Sequence, residues 1–190
     1  MDNAPRRQVS SLYQHLIGGR WPDRADSLRA FLGTAQQRRF RGRVRIERST
    51  NRMARLVARL LGLPRPGESM PAELVIIPER GCEIWRRTFG DRRLTTRQRA
   101  GANGLLMERY GLLEFSFALR VENGALHFDQ VEATIRLGSL RLRIPGWMSP
   151  RISAVCEGLA GLNRTHASVR IAAPLIGTVF AYDGDFEIEE

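Results

Sequence analysis

The sequence predicts an α+β protein that is mainly β, with a strongly curved antiparallel sheet forming a barrel or half-barrel. From residue 71 onward, short segments alternate apolar and polar residues and are separated by Gly, Pro, Asp or Asn. Few gaps there are long enough for the crossover that parallel strands need, so neighbouring strands should pair as hairpins. Helical periodicity is confined to the first third of the chain. Because roughly eight to ten strands must coil strongly, split into two sheets or close, we expect a barrel.

The chain length fits a single domain over residues 1–190. With 190 residues, of which 43% are hydrophobic, the chain can bury a core without disulfides or metals. Residues 1–39 are predicted to be a helical N-terminal segment, and residues 40–190 a helix-covered antiparallel sheet.

Two short helices are predicted near the N-terminus. Ser10 or Ser11 can cap the first, and Gly18–Gly19 ends it. The second follows Trp21–Pro22 and ends before Gly33. Their apolar positions are Leu12, Leu16 and Ile17 in the first and Leu28, Phe31 and Leu32 in the second.

A strand and then an amphipathic helix follow. Residues 40–47 alternate apolar or small residues with charged ones, which predicts a strand with one face in the core. Asn51 can cap the next helix, at about 52–61, which Gly62 and Pro64 end. Its predicted buried face consists of Met53, Leu56, Val57, Leu60 and Leu61, with Arg52, Arg55 and Arg59 opposite. We expect this helix to pack on the sheet; the alternative is a basic helix lying on an anionic bilayer.

The remaining chain reads as strand and turn. The clearest element is a hairpin in which Asn123–Gly124 forms a two-residue turn that pairs Val121 with Leu126 and Leu119 with Phe128. Residues 183–185 read as a β-turn, and residues 148–163 as a helix or long loop. The other predicted strands cover residues 72–77, 83–89, 94–99, 105–110, 139–144, 169–173, 178–182 and 186–188.

The composition limits how the protein's charge and its cellular compartment can be interpreted. The net charge of +10 comes entirely from arginine, since all thirty basic residues are Arg and none is Lys. The arginines are spread along the chain, which favours a solvated surface over a nucleic-acid or membrane patch; nucleic acid and peripheral membrane contact are the alternatives. Cys82 and Cys156 are expected to be buried thiols. The segment MDNAPRRQVSSLYQHL has no apolar core, so we expect no signal peptide and a cytoplasmic protein.

No catalytic motif, cofactor motif or metal-ligand spacing is present in the sequence. The three histidines are isolated, so we expect no metal, no cofactor and no catalytic residue. The most informative positions place charge beside aromatic residues in half-buried strands, at residues 85–87 and 108–110. Such charge forms either a structural ion pair or an anchor for a ligand's head group. Periodicity does not choose between Glu108 and Arg109; we predict that Arg109 points inward. The candidate ligand-binding residues are Arg43, Trp85, Arg87, Glu108, Arg109, Tyr110 and Tyr182.

Several segments in this order resemble a bacterial family of domains of unknown function. They are FRGRVRIER (40–48), EIWRRTFG (83–90), LMERYG (106–111), LRLRIPGWMSP (140–150) and PLIGTVFAYDG (174–184). Members of that family occur alone or C-terminal to saccharopine-dehydrogenase-like or short-chain-type NAD(P)-binding oxidoreductases. The resemblance covers roughly residues 12–188 and implies no catalytic role. Leu112 stands where the family pattern usually has Pro. The positions that match recurring family residues are Trp85, Phe89, Gly90, Glu108, Arg109, Gly111, Pro145, Pro174, Gly177 and Gly184.

Three functions are compatible with these features. The first, which we favour, is a non-catalytic module that binds a hydrophobic or lipid-like small molecule. The second is an accessory domain that docks on a separately encoded NAD(P)-dependent oxidoreductase, an interpretation that rests on the family's fusions alone. The third is an Arg-rich surface at 41–48, 52–59 and 136–143 that binds RNA or an anionic membrane.

Overall fold

A computed structural model describes residues 11–19, 21, 26–159 and 163–189. The first ten residues of the predicted helical N-terminal segment lie outside this range. The helices are α1 (Leu12–Ile17), α2 (Asp26–Leu32), α3 (Arg52–Leu60) and a 3₁₀ turn (Ala102–Gly104). The strands are β1 (Arg38–Arg48), β2 (Gly67–Glu79), β3 (Cys82–Phe89), β4 (Arg92–Ala100), β5 (Leu106–Tyr110), β6 (Leu113–Glu122), β7 (Ala125–Leu137), β8 (Leu140–Arg143), β9 (Arg151–Gly158), β10 (Arg164–Ala173) and β11 (Gly177–Glu189).

Ten of these strands close into an antiparallel barrel. The hydrogen-bonded order runs β6-β5-β4-β3-β2-β1-β11-β10-β9-β7, and β7 pairs with β6 to complete the ring. β8 lies outside the ring, paired with the second half of β7. All pairings among the described strands are antiparallel, so the predicted barrel and the absence of a parallel core are confirmed.

The predicted hairpin has the predicted register. Val121 pairs with Leu126 and Leu119 with Phe128, across a turn in which Asn123 and Gly124 have φ of 51° and 81°. Two consecutive positive φ values match the twist of the flanking strands, and Asn–Gly adopts them at little cost. Local turn chemistry therefore fixes which face of β6 and β7 lines the barrel.

The two N-terminal helices close one end of the barrel, which we call the plugged end. Ser11 caps α1 through a capping box with Gln14. Five of the six predicted apolar positions in these helices are buried, and Leu12 is half-buried. Tyr13, fully buried, packs on Trp85 and Phe128 from inside the barrel, with ring centroids 5.9 and 6.1 Å away. The helices therefore fill the lower part of the barrel.

A buried ion pair joins this plug to the wall. Arg38 Nη1 donates to the carbonyl of Phe31 at 3.0 Å, and its Nη2 lies 3.5 Å from Glu83 Oε1. The other Glu83 oxygen accepts from Trp85 Nε1 at 3.1 Å. Burial raises the pKa of Glu83 and lowers that of Arg38, so removal of either partner would leave a costly unpaired charge.

Helix α3 forms where expected but buries a different face. Its N-cap is Asn51, as predicted, but the side chains under it are Ala54 and Ala58, both fully buried. Met53, Leu56 and Leu60 are 56%, 47% and 76% exposed, so their predicted burial is wrong. The physical reason is distance, because small residues let the helix backbone lie close to the barrel while the longer side chains point away from it. No helix in the described part of the chain is long and apolar enough to cross a membrane.

Two other predictions near the C-terminus are wrong. Residues 151–158 form β9, where a helix or long loop was predicted. Residues 183–185 lie inside the continuous strand β11, where a turn was predicted. A Cβ on Gly184 would lie 2.3 Å from the Arg43 carbonyl oxygen, so glycine permits the close approach of β1 and β11 rather than a turn.

We expect Leu60→Ala to change the free energy of unfolding by less than about 0.5 kcal/mol, since exposed side chains contribute little. Ala58→Leu should cost about 1–3 kcal/mol, because the larger side chain has no room under the helix. Denaturant unfolding of both variants measures the difference. A larger loss for Leu60→Ala than for Ala58→Leu would contradict the observed packing.

The strand that replaces the predicted turn also places His166 between two carboxylates. His166 Nδ1 lies 2.7 Å from Asp185 Oδ1, and Nε2 lies 3.2 Å from Asp183 Oδ2. Partial burial lowers the pKa of His166, but the two carboxylates outweigh it and the net shift is upward. A raised folded-state pKa stabilises the fold below the ordinary histidine pKa of about 6.5 and loses that contribution as the pH rises through the folded pKa. We therefore expect His166→Asn to reduce stability more at pH 5.5 than at pH 8.5, measured by thermal unfolding; equal losses would refute the pairing.

Candidate ligand-binding cavity

The upper part of the barrel, beyond the plug, encloses a cavity of about 160 Å³. Its wall is mostly aliphatic and aromatic, with a few polar side chains. The residues that line it are Leu61, Leu63, Trp85, Arg87, Leu94, Thr96, Gln98, Glu108, Tyr110, Leu113, Phe115, Phe117, Phe128, Pro150, Ile152, Ala154, Cys156, Val169, Ile171, Phe180 and Tyr182. An apolar cavity with a small number of polar groups is typical of small-molecule sites.

Strand alternation places the charged residues in this cavity. On β3, Trp85 and Arg87 share the inward face, while Arg86 between them is exposed. On β5, the inward residues are Leu106, Glu108 and Tyr110. Because successive side chains of a strand point to opposite faces, Arg87 and Glu108 both enter the interior although a strand separates β3 from β5.

Arg87 and Glu108 form an ion pair in the cavity wall. Arg87 Nη1 and Nη2 donate to Glu108 Oε1 at 3.2 and 3.3 Å, and Nη1 also donates to Thr96 Oγ1 at 2.9 Å. The guanidinium carbon lies 4.8 Å from the centroid of the Trp85 ring, within cation–π range. Burial alone would lower the pKa of Arg87, but Glu108 and the nearby tyrosines raise it overall, so the group stays charged.

The hydrogen-bonding capacity of the Arg87–Glu108 pair is not fully used. Its side chains keep 16% and 17% of their surface accessible. Glu108 Oε2 accepts no hydrogen bond from the residues that the structure describes. Oε2 therefore keeps some accessible surface, because it is not one of the fully buried polar atoms that lack a partner. Glu108 lines the cavity, so a ligand there can reach this oxygen. A ligand with an O–H or N–H group can donate to it.

The other polar groups of the cavity are weakly reactive. Burial raises the pKa of the Cys156 thiol to about 12, which keeps it protonated and a poor nucleophile at neutral pH. Burial likewise raises the pKa of Tyr182 to about 12. Gln98 Oε1 accepts from the hydroxyl of Tyr13 at 2.7 Å, which ties the plug to the cavity floor. These groups can bind and orient a ligand, and none of them is arranged as a nucleophile with its base.

The segment that follows α3 crosses the other end of the barrel, which we call the α3 end. Helix α3 packs on β11, and Leu61 and Leu63 beyond it line the cavity. Tyr110 on β5 donates its hydroxyl proton to the Leu61 carbonyl at 2.6 Å. In a ring of ten strands β5 and β11 lie on opposite walls, so α3 and the residues after it span the barrel mouth.

The structure brings five of the seven predicted ligand-binding residues together in the cavity: Trp85, Arg87, Glu108, Tyr110 and Tyr182. The predicted inward orientation of Arg109 is wrong. Its side chain is exposed and its Nε donates to the Gly111 carbonyl at 3.0 Å. Arg43 also lies outside, where it binds Ser69 through Nε and Nη2.

Sequence reasoning missed several cavity residues. Thr96 and Gln98 share the inward face of β4 with Leu94. The sequence does show Thr96 and Gln98 alternating with Arg97 and Arg99, which is the signal that could have identified this face. By contrast, Ile152, Ala154 and Cys156 lie on β9, which was not recognised as a strand.

We predict unequal effects of two neighbouring substitutions on β5. Glu108→Ala removes the partner of Arg87 and should cost about 2 kcal/mol, less than the roughly 3–5 kcal/mol of a fully dry pair because part of each side chain remains accessible. Arg109→Ala is the matched control and should cost less than about 0.5 kcal/mol. Calorimetric unfolding compares them, and a greater loss for Arg109→Ala would place the wrong side chain in the barrel.

Comparison with known proteins identifies a family and nothing closer. No curated protein and no solved structure matches the chain. A family model described as "Domain of unknown function (DUF4166)" matches residues 26–186, which comprise α2 and nearly all of the barrel. The match covers far more than half of the sequence, and the chain therefore belongs to this domain family of unknown function.

Proposed function

We propose that the barrel is a non-catalytic module that binds an uncharged, mainly apolar small molecule with one hydrogen-bonding group. The observation that carries this proposal is the apolar cavity with the Arg87–Glu108 pair in its wall. A closed barrel of ten strands is wide enough to keep room for a ligand although helices fill its lower part. Other closed barrels also hold small ligands in their interior.

The charge balance of the cavity favours a neutral ligand. Arg87 is the cationic side chain among the lining residues, and Glu108 already neutralises it. A carboxylate or phosphate in the cavity would lose its hydration without gaining an unpaired cation, which is costly. A hydroxyl or amide instead can donate to Glu108 Oε2 and leave the ion pair intact.

The size of the cavity limits what it encloses. A cavity of about 160 Å³ is smaller than the roughly 300–1,000 Å³ of drug-sized pockets and resembles cavities of about 150 Å³ that hold one benzene ring. The enclosed part of the ligand is therefore a single ring or a short aliphatic chain. A longer, lipid-like molecule would keep its remainder at the barrel mouth.

A matched pair of probes, 1-octanol and octanoate, tests this proposal by isothermal titration calorimetry at pH 7. We expect octanol to bind and octanoate to bind at least about tenfold more weakly, because only the carboxylate has a charge to desolvate. Ala154→Leu adds volume in the cavity and should weaken octanol binding by at least about tenfold.

The control for this substitution is Ser153→Leu, since Ser153 is exposed on the same strand one residue before the cavity-lining Ala154. It should leave octanol binding unchanged. If octanol does not bind to the wild-type protein, or if both leucine variants bind octanol as tightly as the wild type does, the proposed site is wrong.

A further inference from the structure

Helix α3 exposes an apolar stripe to solvent. Met53, Leu56 and Leu60 follow the i, i+3, i+7 spacing of one helix face and are each about half exposed or more. The helix is already anchored through Ala54 and Ala58 on another face. These three large side chains therefore do not serve the packing of the described chain, and exposed apolar clusters of this kind mark interaction surfaces.

An arginine stripe runs beside the apolar one. Arg52, Arg55 and Arg59 each precede a member of the apolar stripe by one residue, so the two stripes lie about 100° apart around the helix. No carboxylate among the described residues forms an ion pair with any of these arginines. The whole segment from residue 48 to residue 67 contains five arginines and no Asp or Glu.

Three exposed arginines of β1 behave differently. Arg39 and Arg41 pair with Glu73 and Glu189, and Arg45 pairs with Glu47 and Glu68. The positive charge of these three β1 arginines is thus neutralised within the chain, whereas that of the three α3 arginines is not. This difference favours an anionic binding partner for α3.

Around Arg48, at the end of β1 that leads into α3, the positive charge is concentrated. Burial lowers the pKa of Arg48, and the nearby Arg92, Arg59 and Arg65 lower it further. Its Nη2 donates to the carbonyl of Leu63, next to the cavity. Like charges held together in this way repel one another, and an anionic surface would relieve that repulsion.

A second apolar element lies at the same end of the barrel. The turn between β10 and β11 presents Leu175, which is 98% exposed and has a φ of 67°. Leucine gains nothing from this exposure and is strained at positive φ, where Gly or Asn is ordinary. The register pairs Arg48 with Phe180, so this turn lies beyond the part of the wall from which α3 starts. A strained, exposed leucine at the same end of the barrel as an apolar helix stripe points to contact with something outside the chain.

We propose that the α3 end of the barrel docks on an anionic phospholipid bilayer. Met53, Leu56, Leu60 and Leu175 would enter the boundary between head groups and acyl chains, and Arg52, Arg55 and Arg59 would contact lipid phosphates. Adjacent apolar and arginine stripes on one helix fit a planar interface that is apolar inside and anionic at its surface. A protein partner would instead need carboxylates placed against each arginine, which nothing in the chain specifies. The docking does not rest on the proposed ligand, although it would hold the cavity mouth against the membrane.

Co-sedimentation of the full chain with vesicles tests this inference, using phosphatidylcholine alone and phosphatidylcholine mixed with phosphatidylglycerol at physiological salt. We expect binding to the mixed vesicles only. Each arginine near an anionic surface strengthens partitioning roughly fivefold, so Arg52→Gln, Arg55→Gln and Arg59→Gln together should weaken it about 100-fold. Replacing Leu56, Leu60 and Leu175 by Ser should weaken it at least about tenfold, by removal of apolar side chains from the interface.

Two controls separate docking from general attraction of a basic protein. Arg39→Gln, Arg41→Gln and Arg45→Gln remove the same charge from the paired arginines of β1 and should weaken binding far less than the α3 triple variant. Val131→Ser removes an exposed apolar residue in the middle of β7, rather than at the α3 end of the barrel, and should change nothing. Circular dichroism checks that all variants fold. Failure of the wild type to sediment with the mixed vesicles, or equal losses for the two arginine triple variants, would overturn the proposal.

Discussion

Closure of the sheet between β6 and β7 is the constraint on which the rest of this structure depends. Once ten strands form a ring, each strand has one face toward the barrel interior and one toward the outside. A barrel of roughly eight strands can be filled by its own side chains or hold one small ligand, and ten strands leave a wider interior. The chain fills that interior unevenly. Helices α1 and α2 enter one end and bury Tyr13, Leu28 and Phe31, and the other end keeps a cavity.

Two buried ion pairs have different roles within the barrel. Arg38 and Glu83 are almost fully enclosed and hold the plug to the wall through Phe31 and Trp85. Arg87 and Glu108 lie higher, beside the cavity, and retain accessible surface. Desolvation makes an enclosed pair costly unless its hydrogen bonds are complete. The lower pair meets that demand only in part. Backbone and indole groups bind Arg38 Nη1 and Glu83 Oε2, whereas Arg38 Nε, Arg38 Nη2 and Glu83 Oε1 are buried without a hydrogen-bond partner among the described residues. The upper pair leaves one carboxylate oxygen available to a ligand.

The parts of this architecture that are encoded locally could be predicted from the sequence. Asn123–Gly124 fixes a hairpin and its register, the alternation in 40–47 identifies β1, and the capping residues locate α1 and α3. The errors occur where tertiary contacts decide. Arg109 shares its face with Met107, which is buried under residues 101–105, so apolar neighbours lay on both faces of β5 and did not indicate the interior. In α3 the alanines rather than the leucines are buried. The prediction failed because the periodicity of a helix does not show how closely the helix approaches the barrel. The strand β9 was missed because its pattern is weakly apolar, and it is completed by partners on β7 and β10 that are distant in sequence.

Xenon binding in crystals of the protein would test the central claim, that a closed barrel encloses an apolar cavity above its plug. Dry apolar cavities of about this size take up xenon under pressure. We predict a xenon atom inside the ring, in contact with cavity residues such as Phe115, Phe128 and Ile152, with Arg87 and Glu108 still paired at the wall. A barrel whose interior excludes xenon, because side chains fill it or because β6 and β7 do not pair, would rule out the enclosed cavity.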